Sequence, residues 1–104
     1  MATLDPIVGH EQGGLRPVLV VSVDQFNQGP VSRVVALPIT STRKGIPWHV
    51  DIDPPEGGLQ NPSTILCDQI RTLAKSRFAQ KALGKVLPST MAEVEGRLRM
   101  LLQL

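Results

Sequence analysis

His10, Glu11 and Arg16 crowd into one short stretch, GHEQGGLRP, directly before the β-branched run PVLVVSV. Farther along, PITST sets Thr40 and Ser41 behind a proline, and CDQ sets Asp68 and Gln69 among apolar neighbours. A base, an acid, a fixed cation and hydroxyl donors are the groups that cleave RNA by internal attack. The ribose 2′-OH must lose a proton, the leaving 5′-oxygen must gain one, and the phosphorane charge between those steps must be stabilised. That chemistry needs no metal. Each of these side chains also fits a structural role: His10 and Glu11 as solvated surface, Arg16 paired with an acid, Thr40 and Ser41 closing their own turn. Asp68 stands between the two readings, because a carboxylate inside an apolar strand is either hydrogen-bonded in place or functional. Arg43 and Lys44, in the polar TSTRKG segment, are phosphate contacts or loop cations.

Such groups must be held by a scaffold, and 104 residues make a single domain, 1–104. PVLVVSV (17–23) reads as a buried strand entered through a glycine loop, and SRVVALPI (32–39) as a second that stops near Pro38. IPWHVDI (46–52) alternates, with Ile46, Trp48, Val50 and Ile52 on one face and Pro47, His49 and Asp51 on the other. TILCDQIR (64–71) reads as a strand carrying Asp68 and Gln69, and ALGKVL as a further one. Met91, Val94, Leu98, Leu101 and Leu102 recur at helical spacing, with Thr90 and Glu93 as a capping box and Glu93–Arg97 and Glu95–Arg99 as i,i+4 pairs. The expected fold is mainly β: a small barrel-like antiparallel sheet with a C-terminal α-helix.

Composition excludes several functions. Cys67 is the single cysteine, which rules out an internal disulfide and a cysteine-based zinc site, and with His10 and His49 as the only histidines no metal site or cofactor is expected. The aromatic residues are Phe26, Trp48 and Phe78, too few to stack bases in series. No apolar run is long enough to span a bilayer and no signal sequence opens the chain, so a cytoplasmic location is expected. The net charge is only +2, but residues 69–92 hold no acid while Arg71, Lys75, Arg77, Lys81 and Lys85 fall there, a basic stretch able to meet phosphates.

LDPIVGHEQGGLRPVLVVS, ALPITS, ILCDQIRTL and the terminal LGKV…EVEGRL…LL occur in this order along the whole chain. Together they resemble the MazF/PemK/Kid family of toxin endoribonucleases, and the histidine before Glu-Gln is most similar to the Kid/PemK subgroup. The resemblance implies an SH3-like barrel of the CcdB/PemK type and a homodimer. It implies sequence-selective, metal-independent cleavage of single-stranded mRNA, leaving 2′,3′-cyclic phosphate and 5′-OH ends. It also implies a cognate antitoxin whose acidic, disordered C-terminal segment covers the RNA site. By the same resemblance Arg16 stabilises the phosphorane and Thr40 and Ser41 bind the phosphate. His10, Glu11 and Asp68 are contenders for proton transfer by that resemblance, and Gln69 is an RNA contact. Arg43 and Lys44 of the polar loop and Arg71 of the basic stretch are added as RNA contacts by their charge alone. Kid-like members place an arginine two residues before the aspartate, where this chain has Leu66. The family as a whole normally opens with a strand before LDP, which the barrel expected here, starting at MATLDP, lacks. Two other readings follow: a shortened homologue that binds antitoxin or RNA without cleaving, and, ranked last because no tryptophan tail is present, a gyrase-poisoning toxin.

Overall fold

A computed structural model describes residues 7–11, 16–22, 33–74 and 82–104, with the backbone alone at residues 7, 10 and 11. Among these residues seven strands, β1 (Ile7–Glu11), β2 (Arg16–Val20), β3 (Arg33–Thr40), β4 (His49–Ile52), β5 (Ser63–Leu66), β6 (Arg71–Ala74) and β7 (Gly84–Lys85), precede helix α1 (Pro88–Leu102). A 3₁₀ turn, Glu56–Gly58, lies between β4 and β5. The strands run in the order β4-β5-β3-β2-β1-β7, with β6 also on β3, and form a half-barrel sheet. The expected class, mainly β with a C-terminal helix, is the one found.

Cross-strand register shows where the core sits. Val8 pairs with Leu19 and Leu19 with Leu37, while Ile39 pairs with Ile65 and Ile65 with Val50. These two rows share one face of the sheet, and α1 covers it with Met91 and Val94, Leu98 and Leu101 packing at its margin. Alternation turns Val18, Val20, Val34, Ala36 and Leu73 to the opposite face, where they form a second, smaller cluster. The central strands are therefore apolar on both sides, which is why PVLVV and RVVAL read as continuous apolar runs.

Four expectations need correction. GHE is not loop: Gly9, His10 and Glu11 belong to β1, which forms a hairpin with β2. TILCDQIR is not one strand. Ile39 and Ala36 are three positions apart on β3, whereas their partners Ile65 and Arg71 are six positions apart, so three extra residues bulge out between β5 and β6. Cys67 and Asp68 lie in the turn of that bulge, closed by Gln69 N–H donating to the Leu66 carbonyl at 3.1 Å. The bulge also explains why β3 continues through Pro38. Val21 N–H donates to Val35 O, so by ladder alternation Pro38 turns its nitrogen away from β2, toward the edge where pairing is already interrupted. Lastly, Ile46 does not join the core face. It precedes β4 in a turn closed by His49 N–H on Ile46 O, at 3.0 Å.

The helix also differs in detail. It starts at Pro88, whose fixed φ suits the first helical position, so Thr90 is buried inside the first turn and caps nothing. The Leu87 N–H ahead of it donates to Glu56 Oε2 at 2.9 Å. Among the described residues neither Glu93–Arg97 nor Glu95–Arg99 closes as an ion pair. Arg97 instead donates from Nε to the Pro47 carbonyl at 2.9 Å, tying α1 to the turn before β4. Leu102, expected in the apolar stripe, is half exposed.

Cys67 is fully buried in the main core. Burial pushes its thiol from 9.0 up to about 11, helped by Asp68 and opposed by Arg97. Between those two values the folded thiol keeps the proton that the unfolded chain has lost, so stability falls as pH rises through that window. Cys67→Ala is therefore expected to show a shallower fall in melting temperature than the parent between pH 9 and 11. Parallel curves in a thermal-melt series would show the thiol to be hydrated.

Candidate functional site

The face that carries the second cluster also carries the polar groups. Alternation along β2 puts Arg16 in line with Val18 and Val20, and along β3 it puts Thr40 in line with Ala36 and Pro38. Arg71 is the direct partner of Ala36, and Thr40 the direct partner of Thr64. Three strands thus deliver Arg16, Thr40 and Arg71 to one side of the sheet. There they line an open cleft of about 660 Å³, shared with Ser41, Lys44, Asp68 and Gln69.

The side chains in this cleft are held unequally. Thr42 N–H donates to Thr40 Oγ1 at 3.2 Å, a short turn that fixes the hydroxyl oxygen and leaves its proton for another acceptor. Arg71 reaches Gln69 Oε1 at 3.5 Å. Arg16 and Lys44 make no ion pair or hydrogen bond with a described residue, and both are exposed, so their charge is available to an anion. The bulge lifts Asp68 out of the ladder and over the cleft, where Oδ1 lies 3.1 Å from His49 Nε2.

Arg43 is placed differently. Its guanidinium donates to the Ile52 carbonyl at 2.6 Å, to Asp53 Oδ1 at 2.8 Å and to the Ser63 carbonyl at 3.1 Å, and its Nε lies 3.9 Å from Asp51 Oδ1. It ties the loop after β3 to β4 and β5 and does not line the cleft. Backbone register sets Glu11 opposite Arg16 and His10 opposite Pro17, beside the cleft, while their side chains lie outside what is described. Gly13 and Gly14, and Lys75, Arg77 and Lys81 of the basic stretch, also lie outside the described residues.

A profile described as "PemK-like, MazF-like toxin of type II toxin-antitoxin system" matches residues 1–102. The chain belongs to the PemK/MazF toxin family. It is 43% identical over 81 residues to the endoribonuclease EndoA of Bacillus subtilis, spanning 77% of this chain and 70% of that protein. It is 39% identical over 99 residues to the endoribonuclease MazF of Staphylococcus epidermidis, spanning 94% of this chain and 82% of that one. Its fold superposes on a mycobacterial endoribonuclease solved with its cognate antitoxin at a TM-score of 0.81 and 33% identity, covering 99% and 97% of the two chains. The family and fold expected from the four motifs are therefore the ones found, and the PemK/MazF relatives are endoribonucleases by name.

One residue lining this cleft is marked by none of the four motifs. His49 sits on the cleft face of β4, directly across from Leu66, with its side chain only 8% exposed. The alternation of IPWHVDI had already put it on the non-core face, but nothing in the sequence brings it to Asp68. Among the described residues no three His, Cys, Asp or Glu side chains gather as a metal-binding group, and no helix is long and apolar enough to cross a membrane.

Proposed function

We propose that this toxin cleaves single-stranded RNA by attack of the ribose 2′-oxygen on the adjacent phosphorus. The observation that supports this reading most is the arrival of Arg16, Thr40 and Asp68 in one cleft from three separate elements. In this mechanism a base removes the 2′-OH proton, the new O2′–P bond forms, and the P–O5′ bond breaks. The 5′-oxygen then takes a proton, giving a 2′,3′-cyclic phosphate and a 5′-OH without consuming water. Arg16 stabilises the doubly charged phosphorane with a guanidinium fork that matches phosphate oxygens. Thr40 and Ser41 donate hydroxyl hydrogens to the same phosphate. Asp68, His10 and Glu11 share the proton transfers, and Lys44, Gln69 and Arg71 hold the flanking nucleotides. Arg43 serves the loop instead of the RNA.

The reading extends to a single-domain homodimer in the cytoplasm, inhibited by an antitoxin whose acidic segment occupies this basic cleft. Solved relatives bound to cognate antitoxin support that partner. The test is purified protein with single-stranded RNA in EDTA. Cleavage is expected, with new ends that accept label from polynucleotide kinase without prior phosphatase treatment. RNA left intact by an excess of protein with a native circular-dichroism spectrum would refute it. Antitoxin binding in that same experiment would favour a non-cleaving homologue.

A further inference from the structure

Asp68 is an unusual place to put a proton-transfer group. It stands in a bulge where no ladder bond fixes it, and its side chain is about one-third exposed. A carboxylate that must meet a 2′-OH in one geometry needs an anchor, because a misplacement of about 1 Å can cost on the order of 10²-fold in rate. His49 has the opposite character. It sits on regular strand, more than nine-tenths of its side chain is buried, and Leu66 faces it across the ladder. Its Nε2 lies 3.1 Å from Asp68 Oδ1, and its Nδ1 is buried with no hydrogen-bond partner among the described residues.

That pairing fixes the tautomer. A proton on Nδ1 would be a buried donor with no acceptor, whereas a bare Nδ1 lone pair leaves no donor unsatisfied. The ring's proton therefore sits on Nε2, facing Asp68. Oδ2 of Asp68 makes no hydrogen bond with a described residue, so it remains for a ligand in the cleft.

We propose that His49 is the positioning residue for Asp68: Nε2–H holds Oδ1 so that Oδ2 meets the reacting hydroxyl. This rests on the endoribonuclease reading and assigns a residue that the motifs leave out. Because Nδ1 is sealed, His49 orients the carboxylate and does not carry the transferred proton itself.

Four variants test it under single turnover: His49→Phe keeps the ring volume without the donor, His49→Gln keeps an N–H near the position of Nε2, Asp68→Asn removes the carboxylate, and the fourth combines His49→Phe with Asp68→Asn. His49→Phe is expected to lower the cleavage rate about 10–100-fold with little change in RNA affinity. His49→Gln is expected to recover most of that loss, and His49→Phe to have no further effect on the Asp68→Asn background. A folded His49→Gln as slow as His49→Phe, or equal effects of His49→Phe on both backgrounds, would overturn the proposal. Nitrogen NMR of the parent protein supplies a readout independent of cleavage. Protonated Nε2 and bare Nδ1 are expected at His49, and Asp68→Asn should speed exchange of the Nε2 proton. The opposite tautomer would overturn the dyad even in an active enzyme, while the expected tautomer in a protein that leaves RNA intact would sink only the endoribonuclease reading.

Discussion

Arg16→Ala is expected to lower single-turnover RNA cleavage by about 10²–10³-fold, the usual cost of removing one preorganised charge-stabilising group from a transition state. The phosphorane carries more negative charge on its equatorial oxygens than the ground-state diester, so a cation aimed at those oxygens speeds the reaction rather than merely binding RNA. Arg16 is suited to this because it opens a regular strand and its guanidinium is not consumed by any described partner. Arg43 is the internal control: it is equally charged, but committed to Asp53 and two backbone carbonyls. Since Arg16 is exposed, its replacement should shift the melting temperature little, and the loss should appear in rate at saturating protein. Arg16→Lys should fall between, because it keeps the charge and loses the fork. A rate within a few-fold of the parent would remove Arg16 from the mechanism and favour a protein that binds without cutting.

Why Arg16 could be found in the sequence and His49 could not is a matter of range. Strands β2 and β3 announce themselves as continuous β-branched runs, since both faces are covered. The helix announces itself by the period of Met91, Val94 and Leu98. Boundaries were set by contacts from elsewhere. Glu56, far upstream, receives the Leu87 N–H ahead of Pro88, where the helix begins, and the i,i+4 partner of Glu93 is taken by the Pro47 carbonyl. Local capping and charge rules have no knowledge of either. Glycines also misled: GHEQGG looks like loop, yet His10 and Glu11 sit in a strand because the neighbouring β2 offers a ladder that outweighs local propensity.

The candidate site shows the same division. Arg16, Thr40 and Arg71 share a face by parity, which a sequence displays once the strands are aligned. Asp68 reaches that face through a bulge, whose three extra residues become visible only when Ile65 and Arg71 are both registered against β3. His49 reaches Asp68 because β4 pairs with β5, a long-range pairing across the turn-rich segment 53–62 that no local pattern encodes. The position two residues before Asp68 is Leu66, and the polar side chain comes from the strand beside it.

Gly58→Ala is expected to cost about 3 kcal/mol or more, one or two from the left-handed backbone and the rest from collision. Gly58 has φ +72°, and a Cβ built there would lie 2.1 Å from the Leu83 carbonyl oxygen and 2.7 Å from its carbon. Both are backbone atoms, so no rotamer change can relieve the contact. Leu83 is itself held, donating its N–H to the Val8 carbonyl at 2.7 Å, and Gly84 pairs with Val8 in the β1–β7 ladder. Displacing Leu83 therefore strains the edge on which β1 is anchored, and Val8 heads one row of the main core. Gly45 separates the two causes. Its φ is +65°, nearly the same, but nothing lies within 4 Å of its Cβ position, so Gly45→Ala should show the backbone cost alone, about 1 kcal/mol. For a domain of this size the difference between the variants corresponds to roughly 10 °C in melting temperature. Equal melting temperatures for the two variants would mean that the 3₁₀ turn does not press on Leu83. The larger loss at Gly58 would show that the half-barrel depends on this close backbone approach between the 3₁₀ turn and β7.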